Sequence, residues 1–192
     1  MNILLLGPQG SGKGTQAKRI SADYGIPQIA TGDMFRSAIA AQTEVGRRVA
    51  PILAAGELVP DGLTIALIRE RLSQPDTHDG YILDGFPRNL AQAEALDDLL
   101  AELDRPMSIV FEFQIPDDIC IERLSKRARE EGRPDDTPEA IARRQEIYHR
   151  ETEPLVEHYL ATGNLVGIHA DRSVDEVYAE IQDALEQASV RT

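Results

Sequence analysis

The sequence predicts an α/β domain in which a mainly parallel sheet is wrapped by helices on both faces. Three observations lead there. Apolar strand-like runs alternate with helical stretches along the chain, the first run stops at a glycine-rich turn that opens a helix, and 192 residues suit one compact unit. A content of 42% hydrophobic and 28% charged residues fits a soluble globular chain. The charges sum to 20 − 33 = −13, which argues against a nucleic-acid backbone as partner. No apolar run approaches the roughly 18 residues of a membrane span, and Met1-Asn2 offers no basic start of a signal peptide. Cys120 is the only cysteine, so neither an internal disulfide nor a cysteine-held zinc site is expected, and a reducing cytoplasm suits it.

Each element has its own local reason. Residues 2–6 form an apolar run that ends in glycines, the mark of a buried strand. A helix follows over about 12–24, with Ala17 and Ile20 inward, until Gly25-Ile26-Pro27 breaks it; 28–30 is a short second strand. Residues 31–59 are helical pieces, with Gly46 inside and Gly56 as a stop. Pro60-Asp61 restarts a helix whose Leu63, Leu67, Ile68 and Leu72 recur near helical spacing. Residues 81–84 make a short strand ending on Asp84. Residues 90–103 are helical, with Leu96, Leu99, Leu100 and Leu103 on one stripe. A strand over 108–115 precedes a helix opened by Pro116-Asp117. The polar stretch 128–138 reads as a loop. Thr137 caps a helix begun by Pro138 that runs towards Glu153, where Pro154 stops or kinks it. Residues 165–169 are a last strand, and Ser173 with Glu176 has capping-box spacing before Val177, Ile181 and Leu185.

Gly7-Pro8-Gln9-Gly10-Ser11-Gly12-Lys13-Gly14-Thr15 lies between the first strand and its helix and matches the G-x-x-x-x-G-K frame of a phosphate-binding loop. Glycines let backbone N–H groups converge on phosphate oxygens, the helix start adds positive partial charge, and Lys13 supplies an ammonium. Gly14 follows the lysine, so the hydroxyl expected near magnesium moves to Thr15. A guanine-reading Asn-Lys-x-Asp is missing, since Asn2, Asn89 and Asn164 are never followed by lysine. Asp84 ends a buried strand; it is either a turn aspartate or a carboxylate that organises magnesium, and Arg88 four residues on favours the second.

Several separated segments together resemble the adenylate kinase family of short-lid type. They are Gly7-x-x-Gly10-x-Gly12-Lys13-Gly14-Thr15-Gln16, Thr31-Gly32-Asp33-Met34-Phe35-Arg36, Asp84-Gly85-Phe86-Pro87-Arg88, Glu122-Arg123 with Arg127, and Gly132-Arg133-Pro134-Asp135-Asp136 with Arg143-Arg144. The resemblance spans nearly the whole chain. It implies a P-loop NTPase-type parallel sheet of about five strands in one domain, 1–192. The core would be 1–29, 60–125 and 137–192, with a mobile flap for the nucleoside monophosphate (NMP) at 30–59 and a short lid at about 126–136.

The resemblance also implies a site. Gly10, Ser11, Gly12, Lys13, Gly14 and Thr15 would bind ATP phosphates, Arg123 and Arg127 would clamp ATP, and the Arg172 backbone would lie near its adenine. Thr31 and Arg36 would hold AMP, with the Glu57-Leu58-Val59 backbone beside its base, Gly85, Phe86, Pro87 and Arg88 on the other side, and Gln92 at the adenine edge. Arg133 and Arg144 would close on the transferring group, making Lys13, Arg88, Arg123, Arg133 and Arg144 the catalytic cations. Asp84, Asp33 and Thr15 would support Mg2+ through waters, with no zinc site. The Phe86–Pro87 bond is expected to be cis.

Composition agrees. The chain has 17 arginines and three lysines, and arginine's planar fork grips phosphate bidentately. Lys126, Arg129, Arg143 and Arg150 read instead as solvated helix-face charges beside Glu122, Glu130, Glu146 and Glu151. His78, His149, His158 and His169 read as surface or helix residues, and an anionic acceptor needs no strong base. Five residues separate Arg127 from Arg133, so the lid is a short loop. The expected reaction is transfer of the ATP γ-phosphoryl group to AMP, giving two ADP, by a cytoplasmic monomer with ATP, AMP and ADP as its partners. A UMP/CMP kinase and a catalytically idle nucleotide-binding module are the other readings. Gln92 four residues after Arg88 favours adenine over the pyrimidines. A carboxamide can turn by half a rotation and present either a donor or an acceptor, so it does not reject guanine alone, and a backbone acceptor, expected at Gly85, must read the exocyclic amine.

Overall fold

The structure, a computed structural model, describes residues 1–189; residues 190–192 of the expected domain lie outside the described residues. Five strands, β1 (Asn2–Leu6), β2 (Gln28–Ala30), β3 (Tyr81–Asp84), β4 (Ile109–Gln114) and β5 (Leu165–His169), form one sheet in the order β2-β3-β1-β4-β5. All neighbouring pairs are parallel, so each crossover carries helix and both faces are covered.

The alternation of side chains along β1 divides the core. Ile3 and Leu5 face α1 (Lys13–Tyr24) and α9 (Val174–Ser189), packing with Ala17, Ile20, Ile181 and Leu185. Leu4 and Leu6 face the other way, towards Ile68 and Leu72 of α4 (Asp61–Leu72), Leu96 and Leu99 of α5 (Leu90–Glu102), and Tyr159 of α8 (Leu155–Leu160). Between β2 and α4 the chain makes α2 (Thr31–Ala40) and α3 (Glu44–Ala54), which bury a separate cluster of Phe35, Val49 and Val59. Their close crossing depends on Gly46, where an added Cβ would lie 2.0 Å from the Ala38 carbonyl oxygen.

The caps act as the sequence predicts. Thr137 accepts from the Ala140 N–H at 3.2 Å, and Ser173 and Glu176 cap each other. The Phe86–Pro87 peptide is cis. Three expectations need correction. The loop foreseen from residue 128 starts later, because α6 (Asp117–Glu131) keeps its good helix formers Arg127 to Glu131 in register until Gly132, at φ 60°, ends it. Residues 126–131 of the expected lid are therefore helical. Leu103 leaves its stripe: α5 ends at Glu102, and Leu103 is 37% exposed. The helix foreseen from Pro138 to about Glu153 is α7 (Pro138–Ile147) continued by a π-helical turn, Tyr148–Thr152, in which the Glu153 N–H donates to the Tyr148 carbonyl at 2.8 Å.

Candidate active site

The sheet order places β1 between strands reached in opposite directions, and its carboxyl end is where a crevice opens. The register sets Leu5 beside Asp84, so the loop leaving β1 and the carboxylate leaving β3 emerge together. Around them lies a cleft of about 380 Å³. Gly10, Gly12, Lys13, Gly14, Thr15, Arg36, Asp33, Glu57, Leu58, Asp84, Gly85, Pro87, Arg88, Arg123, Arg127, Arg133 and Arg144 all line it. A smaller adjoining recess is lined by Thr31, Val59 and Gln92 together with Leu58, Gly85 and Arg88. Ser11, Phe86 and Arg172 line neither: Ser11 and Phe86 are buried, and the Arg172 guanidinium turns away to Glu180.

The loop's backbone is shaped to stay open. Gly10 sits at φ +86° with an added Cβ only 2.6 Å from the Cys120 carbonyl oxygen, so a side chain there would collide with α6. Lys13 folds over its own loop, donating to the Gly7 and Pro8 carbonyls at 2.7 Å each and to Ser11 Oγ at 3.2 Å. Burial pulls its pKa down to about 8, with the nearby Asp84 charge opposing. Gln28 Nε2 donates to Asp84 Oδ2 at 3.2 Å.

Arg88 is held by neutral groups. Its Nε donates to the Gly85 carbonyl at 2.8 Å, its N–H donates to Gln92 Oε1 at 2.8 Å, and its carbonyl accepts from Thr152 Oγ1 at 2.7 Å. Burial lowers its pKa to about 10 despite Asp84, so it stays charged at neutral pH. Arg123 likewise donates to the Ala170 carbonyl at 2.9 Å and to the Arg172 carbonyl at 3.5 Å.

The remaining guanidiniums are ion-paired. Arg127 grips Asp136 with both its Nε (2.8 Å) and a terminal nitrogen (2.9 Å). Arg144 reaches Asp136 at 2.7 Å and Asp135 at 2.9 Å. Arg36 touches Asp33 at 2.5 Å and Asp135 at 3.5 Å, and Arg133 touches Glu131 at 2.6 Å. Burial works against the Asp136 charge, but hydrogen bonds from Arg127 and Arg144 hold its carboxyl below the usual range. The sequence reading gave Asp135, Asp136, Thr152 and Gln28 no role. The Asp-Asp pair directly after Arg133-Pro134 was a visible signal; Thr152 had none, since a π turn brings it to Arg88. Of the helix-face charges, Lys126 pairs with Glu130, Arg143 with Glu146, and Arg150 with Glu146 and Glu151, while Arg129 and Glu122 form no ion pair among the described residues. Arg143 also reaches across to Glu57 at 2.7 Å.

Comparison with known proteins gives the family. A family model described as adenylate kinase matches residues 5–164. The chain is similar to the adenylate kinase of Maricaulis maris, at 49% identity over 97% of this chain and 100% of that protein. It is also similar to that of Parvibaculum lavamentivorans, at 47% identity over 96% of this chain and 92% of the relative. A third, from Bifidobacterium longum, is 47% identical over 97% of this chain and 100% of its own length.

Proposed function

Since the chain belongs to the adenylate kinase family, and so transfers the γ-phosphoryl group of ATP to AMP to give two ADP, we propose which of its residues carry that reaction. The observation that supports the assignment most is the convergence of Lys13, Arg36, Arg88, Arg123, Arg127, Arg133 and Arg144 on one cleft at the carboxyl edge of the sheet. Gly10 to Thr15 cradle the ATP phosphates, and Arg123 and Arg127 clamp them. Arg36 and Arg88 take the AMP phosphate, while Thr31, the backbone of Glu57 to Val59, and Gly85 to Pro87 frame its nucleoside, with Gln92 at the base. Arg133 and Arg144 close on the group in flight. The Arg172 side chain contributes nothing; only its backbone lies near ATP.

The acceptor oxygen is already anionic at neutral pH, so no side chain has to remove a proton. Catalysis is alignment of two phosphates plus fixed positive charge where negative charge spreads. Water must be kept out, or ATP would be hydrolysed, and the 30–59 flap and the short lid around 126–136 serve that end. Asp84 and Thr15 line the cleft beside the phosphate loop, and oxygen donors of this kind fit Mg2+. Asp33 lines the same cleft and is engaged by Arg36 at 2.5 Å. Bound with ATP, Mg2+ offsets charge on the phosphate oxygens. The same proposal covers a cytoplasmic monomer; among the described residues no helix is long and apolar enough to cross a membrane.

An ADP-coupled assay with ATP, Mg2+ and each nucleoside monophosphate in turn tests this reading. AMP should be turned over fastest. Faster turnover of UMP or CMP would transfer the assignment to a pyrimidine nucleotide kinase.

A further inference from the structure

The Gln92 carboxamide is not free to turn. Gln92 is 2% exposed in the recess beside Leu58, Val59 and Thr31. Its Oε1 accepts from the Arg88 N–H at 2.8 Å, and its Nε2 donates to Asp61 Oδ1 at 2.7 Å. Asp61 Oδ1 also accepts from Asn89 Nδ2 at 2.9 Å, and Asn89 Oδ1 in turn accepts from the Gln92 N–H at 2.9 Å. An ionised carboxylate only accepts, and a backbone N–H only donates. A half-turn of the amide would set oxygen against the Asp61 carboxylate and NH2 against the Arg88 N–H, losing two buried hydrogen bonds and creating two like-to-like contacts.

We propose that Asp61, at the start of α4, sets base choice by locking the Gln92 carboxamide in one orientation. The locked amide keeps one lone pair on Oε1 and one N–H on Nε2 to offer a base. Adenine presents a 6-amino donor and an N1 acceptor, which match. Hypoxanthine presents an O6 acceptor and an N1–H donor, which oppose both. Guanine shares that opposing edge, but its 2-amino group adds a second difference, so AMP against IMP is the clean pair. Asp61 is a positioning residue: it acts on the base through Gln92.

The inference rests on the reading that this recess takes the AMP base at Gln92, and Gln92→Ala tests that reading separately. In the assay above, Gln92→Ala should raise the KM for AMP at least tenfold with the KM for ATP unchanged; intact AMP use would overturn the site reading itself. Asp61→Asn removes the stronger, charged half of the lock, since an asparagine can face either end of the amide, and leaves only the Arg88 N–H to orient it. Its ratio of kcat/KM for AMP over IMP should fall roughly tenfold or more, because an unpaired polar edge is the main source of such discrimination. In the Gln92→Ala background the same change should leave the ratio unaltered. An Asp61→Asn enzyme with the parent's AMP:IMP ratio, whatever its melting temperature, would overturn the proposal. So would a ratio that falls equally in both backgrounds.

Discussion

The cations of the cleft fall into two groups that are held differently. On the sheet side, Lys13, Arg88 and Arg123 are held by backbone carbonyls, which orient them without cancelling their charge. On the flap and lid side, Arg36, Arg127, Arg133 and Arg144 are each held by a carboxylate. A carbonyl-held cation presents its full charge to an incoming phosphate. A carboxylate-held one must exchange or share its partner, so part of its attraction is offset in advance. The sheet side is thus arranged to bind, and the flap and lid side to rearrange as binding proceeds.

The largest expected effect breaks the comparison most directly. Lys13→Ala should lower kcat on the order of 10³-fold, as losing a phosphoryl-clamping cation does. Arg127→Ala should cost only about tenfold in kcat/KM for ATP, because that guanidinium is already shared with Asp136. Equal losses in steady-state kinetics would erase the distinction between the groups. Next, Asp136→Ala leaves Arg127 and Arg144 facing each other without the buried carboxylate between them. Unfolding should become easier by about 3 kcal/mol, or roughly 6–12 °C in Tm for a chain of this size. Calorimetry showing an unchanged Tm would mean the pair is not what keeps the lid arginines together.

The smallest effect concerns the π turn behind the sheet-side group. His149 bridges Glu153 at 2.8 Å and Asp117 at 2.7 Å, and hydrogen bonds from these carboxylates raise its pKa above the usual 6.5. A raised folded-state pKa contributes stability below 6.5 that is lost as pH rises through the raised value. His149→Gln should therefore melt below the parent near pH 6, with the gap closing as the pH is raised into the alkaline range. The bridge is mostly exposed, so the difference is slight. A gap that widens with pH would show that the ring is held neutral.

How much of this could be foreseen followed from distance along the chain. The phosphate loop, the strands and the caps are local signals, and Gly7 to Thr15 carries its chemistry within nine consecutive positions. Motif residues such as Arg88 and Arg144 were visible as members of a set. Their partners were not: Arg36 meets Asp135 and Arg143 meets Glu57 across 99 and 86 positions, and no periodicity encodes such pairs. The polar content of 128–131 suggests a loop where a helix forms, because hydrophilicity and helix propensity are different properties, and Arg and Glu are high in both. The fixed orientation of the Gln92 amide is invisible in the sequence because Asp61 lies 31 positions away in another helix. Thr152 reaches Arg88 only through a turn that inserts one extra residue, which single-sequence patterns do not signal.

The small apolar cluster of Phe35, Val49 and Val59 anchors its helices apart from the two cores that clasp the sheet. A module supported mainly by its own side chains, and joined to the scaffold through Leu63 and Leu67 of α4, can be lengthened or reshaped by evolution or by engineers while the central scaffold keeps its integrity. Contacts that the 30–59 segment makes with an acceptor can therefore be remodelled while the Asp61–Gln92 pair and the donor side, both on the scaffold, stay as they are.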